Sequence, residues 1–289
     1  MSDRKFVGNI LGGRAAEVDD AYLKYWNQVT PGNAGKWGSV ERQRDEMDWE
    51  TLDVIYRTCV ERGIPLKQHT FVWGMQQPDW IEALSPAEQR EEVTEWIRAF
   101  CERYPDVAMI DVVNEPITIP AKQYKDALGG DGKTGWDWVI WAFEQARSSA
   151  PNAVLILNEH SILKDDEKLR QFAGIVRLLQ ERNLIDAVGL QAHFLERTPP
   201  EDIERRLDEI AALGLPVYIS EFDLNIGDDA VQKAKYQAIF PIFWEHAAVK
   251  GVTLWGYKEG EMWRTEGYLL HKDGSERPAL QWLGRYLQQ

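Results

Sequence analysis

The stretch MIDVVNEPITIP runs from Met109 to Pro120. Its first five residues are mostly apolar and β-branched, the pattern of a strand buried on both faces. Asn114 and Glu115 follow side by side, and Pro116 then stops the pattern. A buried strand that ends on a carboxylate and breaks at once is one instance of a pattern repeated along the chain. Other apolar runs of this kind are Phe6–Ile10, Trp26–Thr30, Leu66–Val72, Ala153–Leu157, Ala187–His193, Val217–Phe222 and Val252–Tyr257, beside Ala108–Asn114 itself. Between them lie helical periods. Trp49, Leu52, Ile55, Tyr56, Cys59 and Val60 form one stripe. Ser85-Pro86-Ala87-Glu88 opens another as a capping box, with Val93, Trp96, Ile97, Phe100 and Cys101 on its inner face. A third starts at Pro200, turns Ile203, Leu207 and Ile210 inward, and ends at Gly214.

Strands alternating with helices imply parallel pairing through right-handed crossovers. Eight such units in 289 residues predict a single (β/α)8 TIM barrel spanning residues 1–289, with its cleft at the C-terminal ends of the strands. An open doubly wound sheet is the alternative, but no glycine fingerprint follows the first strand. LGGDGKTG at 128–135 has no strand leading into it and is read as a loop.

Composition bounds the partners. With 44% apolar residues the chain can bury a large core. A net charge of -14 and a pI near 4.9 disfavour nucleic acid and anionic membrane surfaces. No apolar run approaches the ~18 residues of a membrane span. The start, MSDRKFVGN, has no apolar export core, which fits a cytosolic protein, the mature form of an exported one, or an engineered expression form. Cys59 and Cys101 fall in predicted helices without CxxC spacing and are expected to be reduced thiols, a disulfide being the other reading. Thirteen tryptophans exceed what core filling usually needs, and aromatic faces suit sugars or other flat ligands.

Barrel chemistry gathers at the strand ends. There the chain places Asn33 and Lys36, His69 and Trp73, Asn114 and Glu115, Asn158 and Glu159, Gln191 and His193, Glu221 and Asp223, and finally Trp255, Tyr257 and Lys258. A merely solvated rim favours Lys, Asp, Ser and Gly over this company of His, Trp, Asn and Gln. Glu115, partly desolvated at a strand end, gains a raised pKa suited to proton donation. Glu221, in VYISEFDL, ends a strand three places further round. Two carboxyls at one barrel mouth are what glycoside hydrolysis requires. His193 and Asp223 are placed to keep Glu221 ionised, so that the two carboxyls take different roles. A metal on His69, His193, Glu115 and Glu221 is the competing reading, though no HxH or HExxH spacing supports it. Lys36 as a Schiff-base lysine is a further one.

The motifs PGNAGKW, KQHTFVWG, DVVNEP, VGLQAH, VYISEFDL and GVTLWGY, in this order and spread over nearly the whole chain, resemble glycoside hydrolase family 10, the retaining endo-β-1,4-xylanases. The resemblance implies Glu115 as general acid/base, Glu221 as nucleophile, and Asn114 on the sugar 2-hydroxyl. It implies Asn33, Lys36, His69 and Trp73 as the non-reducing-side subsites, Gln191 and His193 as contacts of the nucleophile and its sugar, and Asp223 as the histidine's partner. Trp255 and Trp263 would form the wall and lid of the cleft. The carboxyls of a retaining enzyme stand ~5–5.5 Å apart. No cofactor and no metal are implied. The implied partner is xylan or xylo-oligosaccharide, with the enzyme acting as a monomer.

The chain also departs from the family pattern. Asn158-Glu159-His160-Ser161 stands where relatives often read Asn-Asp-Tyr-Asn, so His160 replaces a tyrosine that commonly stacks on a leaving-group sugar. Phe194 and Ala192 flank His193 where glycine is common, and Phe194 either narrows the cleft or supplies a substitute stacking face. The lid loop YKEGEMWR adds Lys258, Glu259 and Glu261. An intact centre in altered surroundings suits a recombined or designed enzyme. Two other functions stay open: a barrel β-1,4-glucanase or mixed-linkage enzyme, and a barrel scaffold re-aimed at a non-sugar ligand.

Overall fold

The computed structural model describes residues 5–11 and 18–288. Eight strands form one parallel sheet: β1 (Phe6–Leu11), β2 (Val29–Pro31), β3 (Lys67–Val72), β4 (Met109–Asn114), β5 (Val154–Glu159), β6 (Ala187–Leu190), β7 (Val217–Phe222) and β8 (Val249–Leu254). β1 pairs with both β2 and β8, so the sheet curls round on itself. A parallel bridge from Val29 to Leu66 ties β2 to the start of β3 and nearly closes the ring. The helices are α1 (Asp20–Leu23), α2 (Trp37–Val40), α3 (Glu50–Arg62), α4 (Pro86–Arg103), α5 (Asp137–Ser149), α6 (Asp166–Gln180), α7 (Pro200–Ala211), α8 (Asp229–Glu245) and α9 (Pro278–Tyr286). The architecture is the (β/α)8 barrel that the alternation of periods predicts.

Local chemistry sets the long helices. α4 starts at Ser85, whose hydroxyl accepts from the Glu88 amide while the Glu88 carboxylate accepts from the Ser85 amide at 3.0 Å. Its inner face is buried at Val93, Trp96, Ile97, Phe100 and Cys101. The Trp96 indole donates to the Phe71 carbonyl at 3.2 Å and docks the helix on β3. α3 ends at Gly63 with φ 64, a left-handed cap that costs glycine little. Val60 does not join the α3 stripe. It lies one residue, about 100° of helix, beyond buried Cys59 and is 53% exposed. Cys59 and Cys101 are free and buried, and burial pushes both thiols up to about 12.

Three strands differ from the expected ones by three residues at a boundary. Trp26 is buried at the end of α1, its amide bonded to the Tyr22 carbonyl, so β2 begins only at Val29. β6 stops at Leu190 because Ala192 and Phe194 have φ of 63 and 59, which no strand uses. β8 runs Val249–Leu254, and Gly256 at φ 105 ends the extension. As a result Tyr257 leaves the rim and packs into the core, its ring 5.3 Å from that of Trp26.

Inside the barrel the two ends differ in chemistry. Phe6, Met109, Ile156, Ala187 and Tyr218 form an apolar plug near the strand starts. Further along the barrel the buried residues turn polar: Asn9, His69, Asp111, Asn114, Asn158, Ser220, Glu221 and Thr253. Such a layer of buried polar groups is costly unless each is partnered.

Candidate active site

Glu221 ends β7 but for Phe222, and Glu115 stands one residue past β4. Both are buried, at 4% and 7% exposure. Glu221 is surrounded by donors. The Asn158 amide donates to one oxygen at 2.7 Å, and His193 Nε2 lies 3.2 Å from the other. His69 Nε2 stands 3.9 Å from the first oxygen. Each imidazole is aligned from behind by a carboxylate: His193 Nδ1 is 3.0 Å from Asp223, and His69 Nδ1 is 2.8 Å from Asp111. Lys67 Nζ meets the same Asp111 oxygen at 3.1 Å. Asn158 fits here because β6 carries Gly189. A Cβ on Gly189 would lie 2.3 Å from the Asn158 side-chain oxygen.

These neighbours decide the charge of Glu221. Burial alone would raise its pKa, but His69, His193 and Lys67 outweigh that and hold the carboxylate at about 2. His69 is itself pushed below its ordinary value by burial and by Lys36. The lasting positive charge in direct contact with Glu221 is therefore His193, with Lys67 acting from behind Asp111. Burial works against its protonation, yet Asp223 and Glu221 raise it to about 9.

Glu115 is held by different means. Its backbone has φ 53, the left-handed region that a glutamate rarely adopts. The surrounding chain imposes it. The Glu115 amide donates to the Asn158 carbonyl at 2.8 Å, its carbonyl accepts from the Ile119 amide at 2.8 Å, and the Ile117 amide donates to the Glu159 carboxylate at 2.8 Å. On the side chain, the Gln191 amide donates at 2.7 Å. Burial raises the Glu115 pKa, Gln191 partly offsets that, and the negative charge of Glu221 adds to the rise. Asn114 links the two carboxyls, its oxygen accepting from Asn158 at 2.8 Å and from Gln191 at 3.3 Å.

Aromatic walls enclose this pair. Lys36 Nζ lies 4.5 Å over the Trp73 ring, and burial lowers its pKa to about 8 against the pull of Glu221 and Glu115. Trp255 meets His69 edge-on at 5.1 Å, and Trp263 meets His193 at 5.0 Å. Trp263 is 56% exposed, with its indole donating to Asp223 at 2.9 Å. Arg264 donates to the other Asp223 oxygen at 2.7 Å and also pairs with Glu196. On the β5–β6 side His160 and Phe194 meet edge-on at 5.5 Å. Burial and Lys164 push His160 down to about 4, so its imidazole is neutral.

Of the residues that the family resemblance implies, together with His160 and Phe194, all but Asn33 gather around the carboxyl pair. Asn33 is the outlier: it is exposed, and its oxygen accepts from Gln76 at 3.1 Å rather than meeting the carboxyl pair. Asn158 is a central donor, its amide reaching both Asn114 and Glu221. Asp111, Lys67 and Arg264 were not singled out by sequence. A charge within an otherwise apolar strand, as at Asp111 and Lys67, is the signal that would have found two of them. Among the described residues, one acidic group has ligand atoms within 4.8 Å of one another, Glu41, Asp45 and Glu92, and it shares no residue with the carboxyl pair. No helix among the described residues is long and apolar enough to cross a membrane.

Comparison with known proteins follows the same lines. The family model Glycosyl hydrolase family 10 matches residues 4–286. Endo-1,4-beta-xylanase B of Cellvibrio japonicus is 42% identical over 99% of this chain, which spans only 46% of that relative's length. Endo-1,4-beta-xylanase A of Caldicellulosiruptor saccharolyticus is 27% identical over 85% of this chain and 79% of its own. Among solved structures, GH10 from Paenibacillus barcinonensis superposes with a TM-score of 0.87 at 23% identity, covering 98% of this chain and 95% of that one. A mutant Xylanase10C from Cellvibrio japonicus in complex with xylopentaose gives 0.84 at 19% identity, covering 98% and 67%.

Proposed function

The chain belongs to glycosyl hydrolase family 10, and from that premise we propose that it is a retaining endo-1,4-β-xylanase whose barrel is one catalytic unit. The observation that carries the mechanism is the split between two buried carboxyls, one held ionised at about 2 and the other raised. Glu221 attacks the anomeric carbon while the Glu115 carboxyl gives its proton to the glycosidic oxygen. The carbon–oxygen bond breaks, the leaving sugar departs with a new hydroxyl, and a glycosyl ester forms on Glu221 with inverted configuration. Glu115, now a carboxylate, takes a proton from water as its oxygen attacks the same carbon. The ester opens, Glu221 is released, and two inversions give net retention.

The other residues prepare these steps. His193, fixed by Asp223, keeps Glu221 charged before attack. Gln191 holds the Glu115 oxygen near the bond to be cleaved. Asn114, tied to both carboxyls through Asn158 and Gln191, is placed to bond the 2-hydroxyl of the sugar being transferred. Lys36, His69, Trp73 and Trp255 form the wall for the non-reducing side, and Trp263 covers it. No cofactor or metal takes part.

Reducing-sugar release from soluble xylan, beside carboxymethyl cellulose, tests the reading. Release from xylan, lost in Glu221→Ala, supports it, and proton NMR of the first-formed anomer reports retention. Release from cellulose instead would reassign the enzyme as a β-1,4-glucanase. No release from either by the folded protein would overturn the activity.

A further inference from the structure

Two loops meet beside Glu115: the one that leaves it after β4 and the one that follows β3. On the first, just before the turn at Lys125–Leu128, Tyr124 is buried at 1% exposure. Its ring meets Trp37 edge-on at 5.9 Å. Its hydroxyl makes two bonds to one residue of the other loop. It accepts from the Trp73 amide at 3.1 Å and donates to the Trp73 carbonyl at 2.8 Å. Burial pushes the phenol well above its ordinary value, so the hydroxyl keeps the proton it donates. Trp73 stands one residue past β3, where the ladder no longer partners its main chain. One side chain therefore satisfies both polar groups that the sheet leaves free. Tyr124 is itself fixed from below. Its amide donates to the Ala121 carbonyl at 3.0 Å, and Gln89 of α4 donates to the adjoining Gln123 carbonyl at 3.2 Å.

Gly74 closes the same seam by a second, independent contact. Its amide donates to the Ile119 carbonyl at 3.2 Å. A Cβ on Gly74 would lie 2.3 Å from the Pro120 carbonyl oxygen and 2.6 Å from that of Ile119, so any side chain there would push the loops apart. The Ile119 amide in turn donates to the Glu115 carbonyl at 2.8 Å. Trp73 and Glu115 are thus joined through a short run of main-chain contacts. Their side chains also approach. The Trp73 indole nitrogen is buried without a well-formed hydrogen bond, yet it lies close enough to Glu115 to oppose part of the rise in that carboxyl's pKa.

We infer that Tyr124 is a positioning residue for proton transfer: through Trp73 it locks the wall of the non-reducing side to the turn that carries Glu115. The inference rests on the xylanase reading, but Tyr124 touches neither the carboxyl pair nor the sugar. A sugar held against Trp73 then keeps a fixed spacing between its glycosidic oxygen and the proton on Glu115. Loosening the seam disturbs that alignment more than it weakens binding, because the indole face is still present.

The test compares Tyr124→Phe with the unaltered protein on xylopentaose and on dinitrophenyl xylobioside. The sugar alkoxide needs a proton from Glu115 to depart, whereas the dinitrophenolate leaves without one. In the variant, kcat/KM on xylopentaose is expected to fall about tenfold, through kcat and not KM, while kcat/KM on the aryl glycoside changes by about twofold at most. An equal loss on both substrates would make Tyr124 a support of the fold or of the sugar wall alone, and no loss on either would leave it without a role. Each of these results overturns the inference. Gly74→Ala parts the same seam without touching the hydroxyl and should show the same split between substrates. It decides the matter if Tyr124→Phe does not fold, and an even loss there overturns the inference too. If the unaltered protein cleaves neither substrate, the xylanase reading fails and the inference falls with it. Even losses in variants of an active parent remove the inference alone.

Discussion

Glu221 and Glu115 are the same side chain at the ends of two parallel strands, buried to a similar degree, yet their surroundings drive them apart. Glu221 lies amid Asn158, His193 and His69, with Asp223 and Asp111 behind the imidazoles. Glu115 has only neutral donors, the Gln191 amide at 2.7 Å and the Asn114 amide at 3.5 Å, and faces the negative charge of Glu221. Burial pushes both toward the neutral form, and only the first is rescued by positive charge. The contrast shows that a carboxylate's role is set less by how deep it lies than by what faces it.

The sharpest break in that contrast is removal of the charged member. Glu221→Ala is expected to lose xylan hydrolysis entirely while the protein melts as before. A variant that stays active would show that Glu221 is not the attacking group. Glu115→Gln should cost ~10²–10⁴-fold in kcat/KM on xylan and far less on aryl xylosides with good leaving groups. Equal losses would contradict proton donation.

A smaller effect comes from weakening the support instead of the carboxylate. Asp223→Asn removes the charge behind His193, so the imidazolium is less favoured and Glu221 is less firmly held at about 2. The acidic limb of the pH–rate profile should move upward by ~1 unit, and an unmoved limb would mean that His193 does not set it. The smallest effect is on stability. Burial raises Glu159 from 4.5 to about 7 despite its two backbone donors. The folded chain therefore binds this proton more tightly than the unfolded one, so stability present at low pH declines as pH rises from 4.5 to 7. Melting temperatures of Glu159→Gln across that window should show a flatter slope than those of the parent.

Much of the molecule was legible before any coordinates. Periods of 2 and 3.6, with a capping box at Ser85 and glycine at helix ends, are local properties that sequence records directly. The carboxyl at Glu115 was legible because it interrupts an apolar strand just before a proline. Boundaries were less so. The left-handed backbone at Ala192 and Phe194 ends β6 early, and neither residue type announces such a conformation. Asp111 and Lys67 were missed for a related reason: Asp111 on β4 pairs with both Lys67 and His69 on neighbouring β3, and no spacing along the chain encodes that meeting.

The sequence by itself determined the barrel, the order of its strands and the residue types at their ends, because periodicity and breaking residues act within a few positions of one another. The tertiary structure alone decided which of two identical side chains is charged and that Tyr257 faces the core. Those outcomes depend on Coulombic and packing distances between segments far apart in the chain, and such distances exist only once the sheet has closed.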